Sequence, residues 1–182
     1  MRTALLAMTA VALLAGCRQS ADNPAANAAA LRSGQVLPQM DAAVAIRAPA
    51  TKEAAVKLMQ ERNDNMKKIG KAFKELGREL KASTPDLGAV RSSAATIAGL
   101  APRVPSWFPA GTGPDVGKTR AKAEIWQKPM DFAAKTKAFQ SAVRTFDAAA
   151  KSKDLAAIQL RFADLGKTCK SCHDSYRSEE KK

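Results

Sequence analysis

From Thr51 onward the apolar residues recur in alternating steps of three and four, the spacing that lays side chains along one face of a helix. Four such stripes follow one another. The first is Met59, Met66, Ile69, Phe73, Leu76 and Leu80, with Arg62 in the one position where an apolar residue is missing. Thr51 can cap its start, and Pro49 discourages an earlier one. The second is Leu87, Val90, Ala94, Ile97 and Ala101, expected to be capped by Thr84, to begin at Pro85 and to stop before Pro102. The third is Phe132, Thr136, Phe139, Val143, Phe146 and Ala150, with Pro129 near its beginning. The fourth is Leu155, Ile158, Phe162, Leu165, Cys169, Cys172 and Tyr176, with Asp154 as a good cap. Amphipathic helices hide such stripes only by facing one another. Short connections after the first and third make antiparallel neighbours, and residues 102–128 form a long Pro/Gly-rich crossing. The expected fold over residues 50–182 is all-α, an antiparallel four-helix bundle. Nothing alternates with the period of two that a strand would show.

Ahead of this domain stand two segments of different character. Residues 1–16 read as one Arg, an apolar stretch of about a dozen residues and a small-residue exit, the layout of a secretory signal peptide. The stretch is too short for the roughly 20 residues of a spanning helix. Leu14-Ala15-Gly16-Cys17 resembles the bacterial lipobox, in which the Cys takes a diacylglycerol and becomes the new N-terminus. The alternative is a plain signal peptide cut nearby. By the same analogy, Arg18 after the Cys implies a periplasm-facing anchor in the outer membrane. Residues 17–49, with Asn, Ala, Pro, Gly and scattered apolar side chains, read as a flexible tether.

Composition narrows the chemistry. Of 182 residues 46% are hydrophobic, too many for a disordered chain, and three Cys are too few for a disulfide scaffold. The net charge of +13 becomes +12 once Arg2 leaves with the signal segment, which suggests acidic partners or an anionic membrane surface. Nucleic acid is disfavoured, because Lys and Arg are spread over all four helices without interleaved aromatics and the chain is exported.

On the fourth helix stands Cys169-Lys170-Ser171-Cys172-His173. Thiols three residues apart on a helix share a face, and both continue the core stripe. This C-x-x-C-H spacing is that of c-type haem attachment, in which each thiol adds to one vinyl group and the imidazole reaches the iron. A redox-active C-x-x-C sits instead at a helix start in a βαβ setting. A zinc site needs a fourth ligand, and no further His exists while the one other Cys is Cys17. The arithmetic closes with one thiol for lipid and two for haem.

With these residues placed, the chain resembles the cytochrome c′ / cytochrome c-556 family over roughly residues 50–178. The resemblance rests on Arg62-x-x-x-Met66-Lys67-x-x-Gly70, Phe108-Pro109-x-Gly111-Thr112, Glu124-Ile125-Trp126 and Cys169-x-x-Cys172-His173-x-x-Tyr176-Arg177. Ala123 departs from it, since relatives commonly carry Pro there. The resemblance implies one covalent haem c, with thioether bonds at Cys169 and Cys172 and His173 as proximal iron ligand. It implies Arg177 near the proximal face, and Arg62, with Asn63 and Arg120, meeting the haem propionates. An inward Arg needs an anionic partner, the alternative being a snorkelling surface residue. Trp126 packs either on the macrocycle edge or in ordinary core.

Met66 decides between two functions. As sixth ligand it gives His/Met coordination and a one-electron carrier that docks a redox partner protein, an acidic one if charge guides it. As simple packing it leaves a five-coordinate iron open to NO or CO. Neither is an enzyme. A thiol oxidoreductase would instead keep both thiols free. Family members often pair through the first two helices, so a homodimer is a further expectation.

Overall fold

The computed structural model describes residues 47–179. The expected signal segment, Cys17 and nearly all of the tether lie outside the described residues. Four long helices form, α1 Lys52–Glu79, α2 Leu87–Leu100, α4 Pro129–Ala150 and α5 Leu155–Tyr176, with a single-turn helix, α3 Glu124–Gln127, before α4. The one extended pairing among the described residues is an isolated bridge between Ala121 and Arg177. No helix of the described residues is long and apolar enough to cross a membrane.

The helix ends follow side-chain chemistry. Thr51 caps α1, its hydroxyl accepting from Ala54 N–H at 3.2 Å, and Asp154 caps α5 by accepting from Ala157 N–H at 3.0 Å. The start of α2 differs from expectation. Asp86, not Thr84, is the cap, and its carboxylate accepts from Gly88 N–H at 2.7 Å and Ala89 N–H at 3.2 Å. A carboxylate meets the positive helix end better than a hydroxyl does. Asp86 is also held in place, because its own N–H donates to the buried Glu79 at 3.1 Å. α2 ends at Leu100, before Pro102 as expected, but the chain keeps coiling. The helix tightens into a 3-10 segment, Ala101–Trp107, which absorbs Pro102 and Pro105.

The four stripes meet in one core. Every residue of the third stripe is buried, and Leu76, Val90, Ile97, Phe146, Ile158 and Leu165 are fully enclosed. Each such side chain contributes about 1.5–3 kcal/mol by leaving water. The helices run up, down, up, down. Arg103, just beyond α2, pairs with Glu61 early in α1, and Lys135 early in α4 donates to Ser171 late in α5 at 3.0 Å. α2 ends beside the middle of α4, where Gln140 Nε2 donates to the Ala101 carbonyl at 3.2 Å. The crossing continues to the start of α4, where Pro105 and Phe108 lie with Pro129 and Phe132. It is spent capping one end.

α1 and α5 meet through an exchange of rings for glycines. Phe73 of α1 and Phe162 of α5 stack with centroids 4.6 Å apart. A Cβ on Gly166 would lie 3.3 Å from Phe73, and one on Gly77 would lie 3.5 Å from Phe162. Further along, Gln159 Nε2 donates to the Leu80 carbonyl at 3.0 Å. Each step forward on α1 thus matches an equal step back on α5.

Gly99, on the exposed side of α2, has nothing within 4 Å of a Cβ position, unlike Gly166. Gly99→Ala should raise unfolding stability by about 0.5–1 kcal/mol through backbone entropy. Gly166→Leu should lower it by about 1–3 kcal/mol, because Phe73 has to yield. Urea denaturation of both variants checks the contrast.

Candidate functional site

The α1–α5 register carries the site. Seven residues back from Phe73 is Met66, and seven forward from Gly166 is His173. Continuing the Phe73–Gly166 pairing therefore sets Met66 and His173 at the same level of the bundle. Along the seam Phe73, Phe162 and Gly166 are half-buried at the level of the rings, and Met66, Cys169, Cys172 and His173 are half-buried beyond them. Gly70 is half-buried as well, yet a Cβ there would meet nothing within 4 Å. The seam is closed by the stacked rings and roomier toward His173.

Cys169 and Cys172 are not joined to each other. Cys169 packs against the main core, and Cys172 against a second cluster of Ile125, Phe132 and Tyr176. Burial pushes the Cys169 thiol up to about 11, with Cys172 adding to the effect, and burial also raises Cys172. Both are thiols at neutral pH, the reverse of an activated redox pair. His173 is lowered by burial and then by the charges of Arg177 and Arg120, against a smaller opposing effect of Asp174. This favours neutral imidazole, the form that ligates metals. The Arg177 N–H, at the helix end, donates to the His173 carbonyl at 2.9 Å.

Arg62 is 4% exposed and fastens the crossing segment to α1. Nη1 donates to the Trp107 carbonyl at 3.4 Å and Thr112 Oγ1 at 3.2 Å, and Nη2 to the Thr112 carbonyl at 3.1 Å and Thr119 Oγ1 at 3.0 Å. Its guanidinium lies over the rings of Phe108, at 4.8 Å, and Trp126, at 5.8 Å. It is therefore not a snorkelling surface residue. All these acceptors are neutral, and burial depresses its pKa to about 10. Gly111, at φ 75°, makes the turn that presents Thr112. Sequence reading singled out Arg62 but not Thr112 and Thr119 as its holders, since a loop threonine has no periodicity to betray it.

The remaining expected residues fall around this end. Asn63 lies on the exposed side of α1, while Asn65 is the buried asparagine. Arg120 Nε donates to the Ser178 carbonyl at 3.0 Å, and its own carbonyl accepts from Ser178 N–H at 2.8 Å, tying the crossing to the segment after α5. Trp126 braces the loop, its indole N–H shared between the carbonyls of Phe108 at 3.2 Å and Pro109 at 3.0 Å. The turn at Ala123 forms without proline, its carbonyl accepting from Trp126 N–H at 3.0 Å. A cleft of about 440 Å³ lies between the crossing and α4, lined by Phe108, Trp126, Phe132 and Lys137 among others, but not by Cys169, Cys172 or His173.

Comparison with known proteins settles the relationship. The family model described as Cytochrome C′ matches residues 57–177. The chain belongs to the cytochrome c′ family. A cytochrome c′ of Cereibacter sphaeroides is 34% identical over 138 residues, covering 73% of this chain and 91% of that protein. The structure of cytochrome c prime from Shewanella frigidimarina matches with a TM-score of 0.65 and 35% identity, over 70% of this chain and 98% of that one. A variant of the Alcaligenes xylosoxidans protein, solved as its nitric oxide complex, matches with a TM-score of 0.63 and 28% identity, over 73% and 100% of the two chains. Proteins of this family are periplasmic haem carriers, and the cofactor is covalently attached haem c with its iron.

The residues present fit that group. Open space beside Gly70 lies on the roomier stretch of the seam, and two thiols and an imidazole share the facing helix end. Arg62 holds a buried positive charge with no carboxylate partner among the described residues, which a propionate can balance. Among the described residues no three His, Cys, Asp or Glu side chains gather to hold a metal unaided. Iron here has to bring further donors with it.

Two measurements test this end of the molecule. Arg62→Met should cost about 2–3 kcal/mol in denaturant unfolding, because charged hydrogen bonds to buried acceptors are lost. The Tyr176 hydroxyl donates to Asp131, and burial, then that bond, push its pKa up to about 12. With an unfolded value near 10, neutral Tyr176 stabilises the fold fully below about pH 10, and the contribution is lost as pH climbs through about 12. Thermal midpoints between pH 9 and 12 should therefore fall less steeply for Tyr176→Phe than for the parent.

Proposed function

We propose that this chain is a one-electron carrier. Its haem is held by thioether bonds from Cys169 and Cys172, with His173 as proximal iron ligand and Met66 as the ligand opposite. The observation that carries the reading is the register of α1 against α5, which brings Met66 level with His173 across the roomier part of the seam. A thioether paired with an imidazole raises the reduction potential into the range of a carrier. When bound, the haem supplies a metal that cycles between ferrous and ferric states. The chain's own part is to hold, orient and exclude water. Stacked Phe73 and Phe162 fix the helix spacing, and neutral His173 presents a lone pair. Arg62 locks the crossing over the site, where its charge, with Arg120 on the same crossing and Asn63 at the surface, faces the propionates. Arg177 and Arg120 add positive charge beside His173, which favours the reduced state. Because no substrate bond changes, the chain is not an enzyme.

The second reading is a five-coordinate protein binding NO or CO opposite His173. It is favoured by the nitric oxide complex of the Alcaligenes xylosoxidans relative, and in it Met66 only packs against the core. The lipobox reading adds an acyl anchor at Cys17 in the outer membrane facing the periplasm. A pair of chains meeting through α1 and α2 remains part of the proposal, since one relative is described as showing ligand-controlled dimer dissociation.

Optical spectra of the reduced holoprotein separate the two readings. A carrier shows sharp low-spin α and β bands unmoved by CO, and Met66→Ala converts it to a broad, CO-responsive spectrum. A parent spectrum already broad and shifted by CO would instead establish the gas-binding reading.

A further inference from the structure

Among the described residues one buried side-chain nitrogen or oxygen has no hydrogen-bond partner, the indole Nε1 of Trp107. Trp107 is 4% exposed, so the surrounding solvent does not serve it. The chain's other tryptophan shows the contrast. Trp126 is only half-buried, yet its Nε1 is shared between the carbonyls of Phe108 and Pro109. A buried donor left unmatched costs more than an ordinary hydrogen bond contributes. Such groups are rare for that reason, and each points to an acceptor that the chain does not itself supply.

The position of this donor narrows what the acceptor is. Trp107 closes the 3-10 segment that prolongs α2, and Pro102 and Pro105 restrict the backbone leading to it. Its carbonyl accepts from Arg62 Nη1 at 3.4 Å. Covalent geometry keeps an indole nitrogen within about 7 Å of its own carbonyl oxygen, so the unmatched N–H and the buried guanidinium share one neighbourhood. The Trp107 ring belongs to the same core against which Met66 and Cys169 pack. Arg62 is under-served as well. Its acceptors are all neutral, namely the carbonyls of Trp107 and Thr112 and the hydroxyls of Thr112 and Thr119. A water molecule would satisfy the indole and leave the guanidinium's charge unbalanced. A carboxylate answers both, because it accepts a directional hydrogen bond and carries the opposite charge.

We propose that Trp107 Nε1 is a hydrogen-bond donor to a haem propionate, set beside the charge of Arg62. This rests on the reading that Arg62 faces the propionates, and not on whether Met66 ligates the iron. The two residues differ in what they contribute. Arg62 supplies charge, while Trp107 supplies direction, since an indole has a single N–H on a rigid ring that is enclosed here. Their mutual bond ties α1 to the coil beyond α2. The pair thus holds one edge of the cofactor from those two elements, while Cys169 and Cys172 hold it from α5.

Resonance Raman spectra of the reduced holoprotein read the propionates directly, through a low-frequency bending band that falls when the carboxylate loses a hydrogen bond. Trp107→Phe keeps an aromatic ring and removes the N–H, so the band should fall, and Arg62→Met should lower it too. In heavy water the parental band should shift with a slow component at the rate of exchange of the Trp107 indole proton. That exchange is followed in the N–H correlation spectrum, where the chain gives only two indole signals. The slow component should be lost in Trp107→Phe. A band lowered by Arg62→Met but unmoved by Trp107→Phe would overturn the proposal and leave the propionate reading standing. A band unmoved by either variant would overturn both. An exchange cross-peak between the Trp107 indole proton and a bound water would assign the acceptor as water and overturn the proposal too. Should Trp107→Phe yield no holoprotein, the parental time course decides. A slow component at the indole rate supports the donor, and its absence overturns it.

Discussion

The seam between the first and last helices is the constraint on which the rest of this structure depends. Two phenylalanines stack across it, and Phe73 sits so close over Gly166 that a Cβ there would press on the ring. Aromatic stacking alone would tolerate sliding, but a ring seated over a glycine does not, because a one-turn slip puts a side chain where the ring lies. Register is thereby set at one point and propagated by two rigid helices. Met66 and His173 come level many ångströms away without touching anything that specifies their pairing. The same seam is filled where the rings meet and roomy where they do not, so one device both spaces the helices and leaves width for a flat cofactor.

The second organising feature is the buried guanidinium of Arg62. The crossing segment between α2 and α4 is longer than the link between two neighbouring helices requires. Its length makes sense as a cap, and a cap needs an attachment. Arg62 supplies it with four hydrogen bonds into the loop and two aromatic faces above its plane. Keeping a charge there is costly in the bare chain, as its depressed pKa records. An anionic cofactor edge beside it would lower that cost.

How much of this was legible beforehand varies with the range of the interactions. The four stripes, the caps at Thr51 and Asp154 and the C-x-x-C-H turn on the last helix were readable, because each is set within a few residues. The α2 cap was misassigned to Thr84. Its true owner, Asp86, depends on Glu79, a side chain in the preceding helix that steadies its backbone N–H. The stop of α2 before Pro102 was readable, but the 3-10 turn that follows it was not. Proline excludes an α-helical hydrogen bond but not a 3-10 turn, and packing of Val104 and Trp107 into the core makes that turn worthwhile. Arg62 was visible as an interruption of its stripe, but its actual partners were not.

By itself the sequence determined that this chain makes four amphipathic helices, that one of them carries two thiols and an imidazole within a single turn, and that the product is strongly basic. Those properties follow from local periodicity, fixed chemical spacing and composition, none of which needs the fold. Tertiary structure alone decided that Met66 stands level with His173, that Thr112 and Thr119 hold Arg62, and that Lys122 and Lys135 reach Asp174 and Ser171 beside the turn of Cys172 and His173. Each of these joins residues 36 to 107 positions apart, and no local pattern encodes such a distance. It is resolved only when rigid helices of set length are packed in one register.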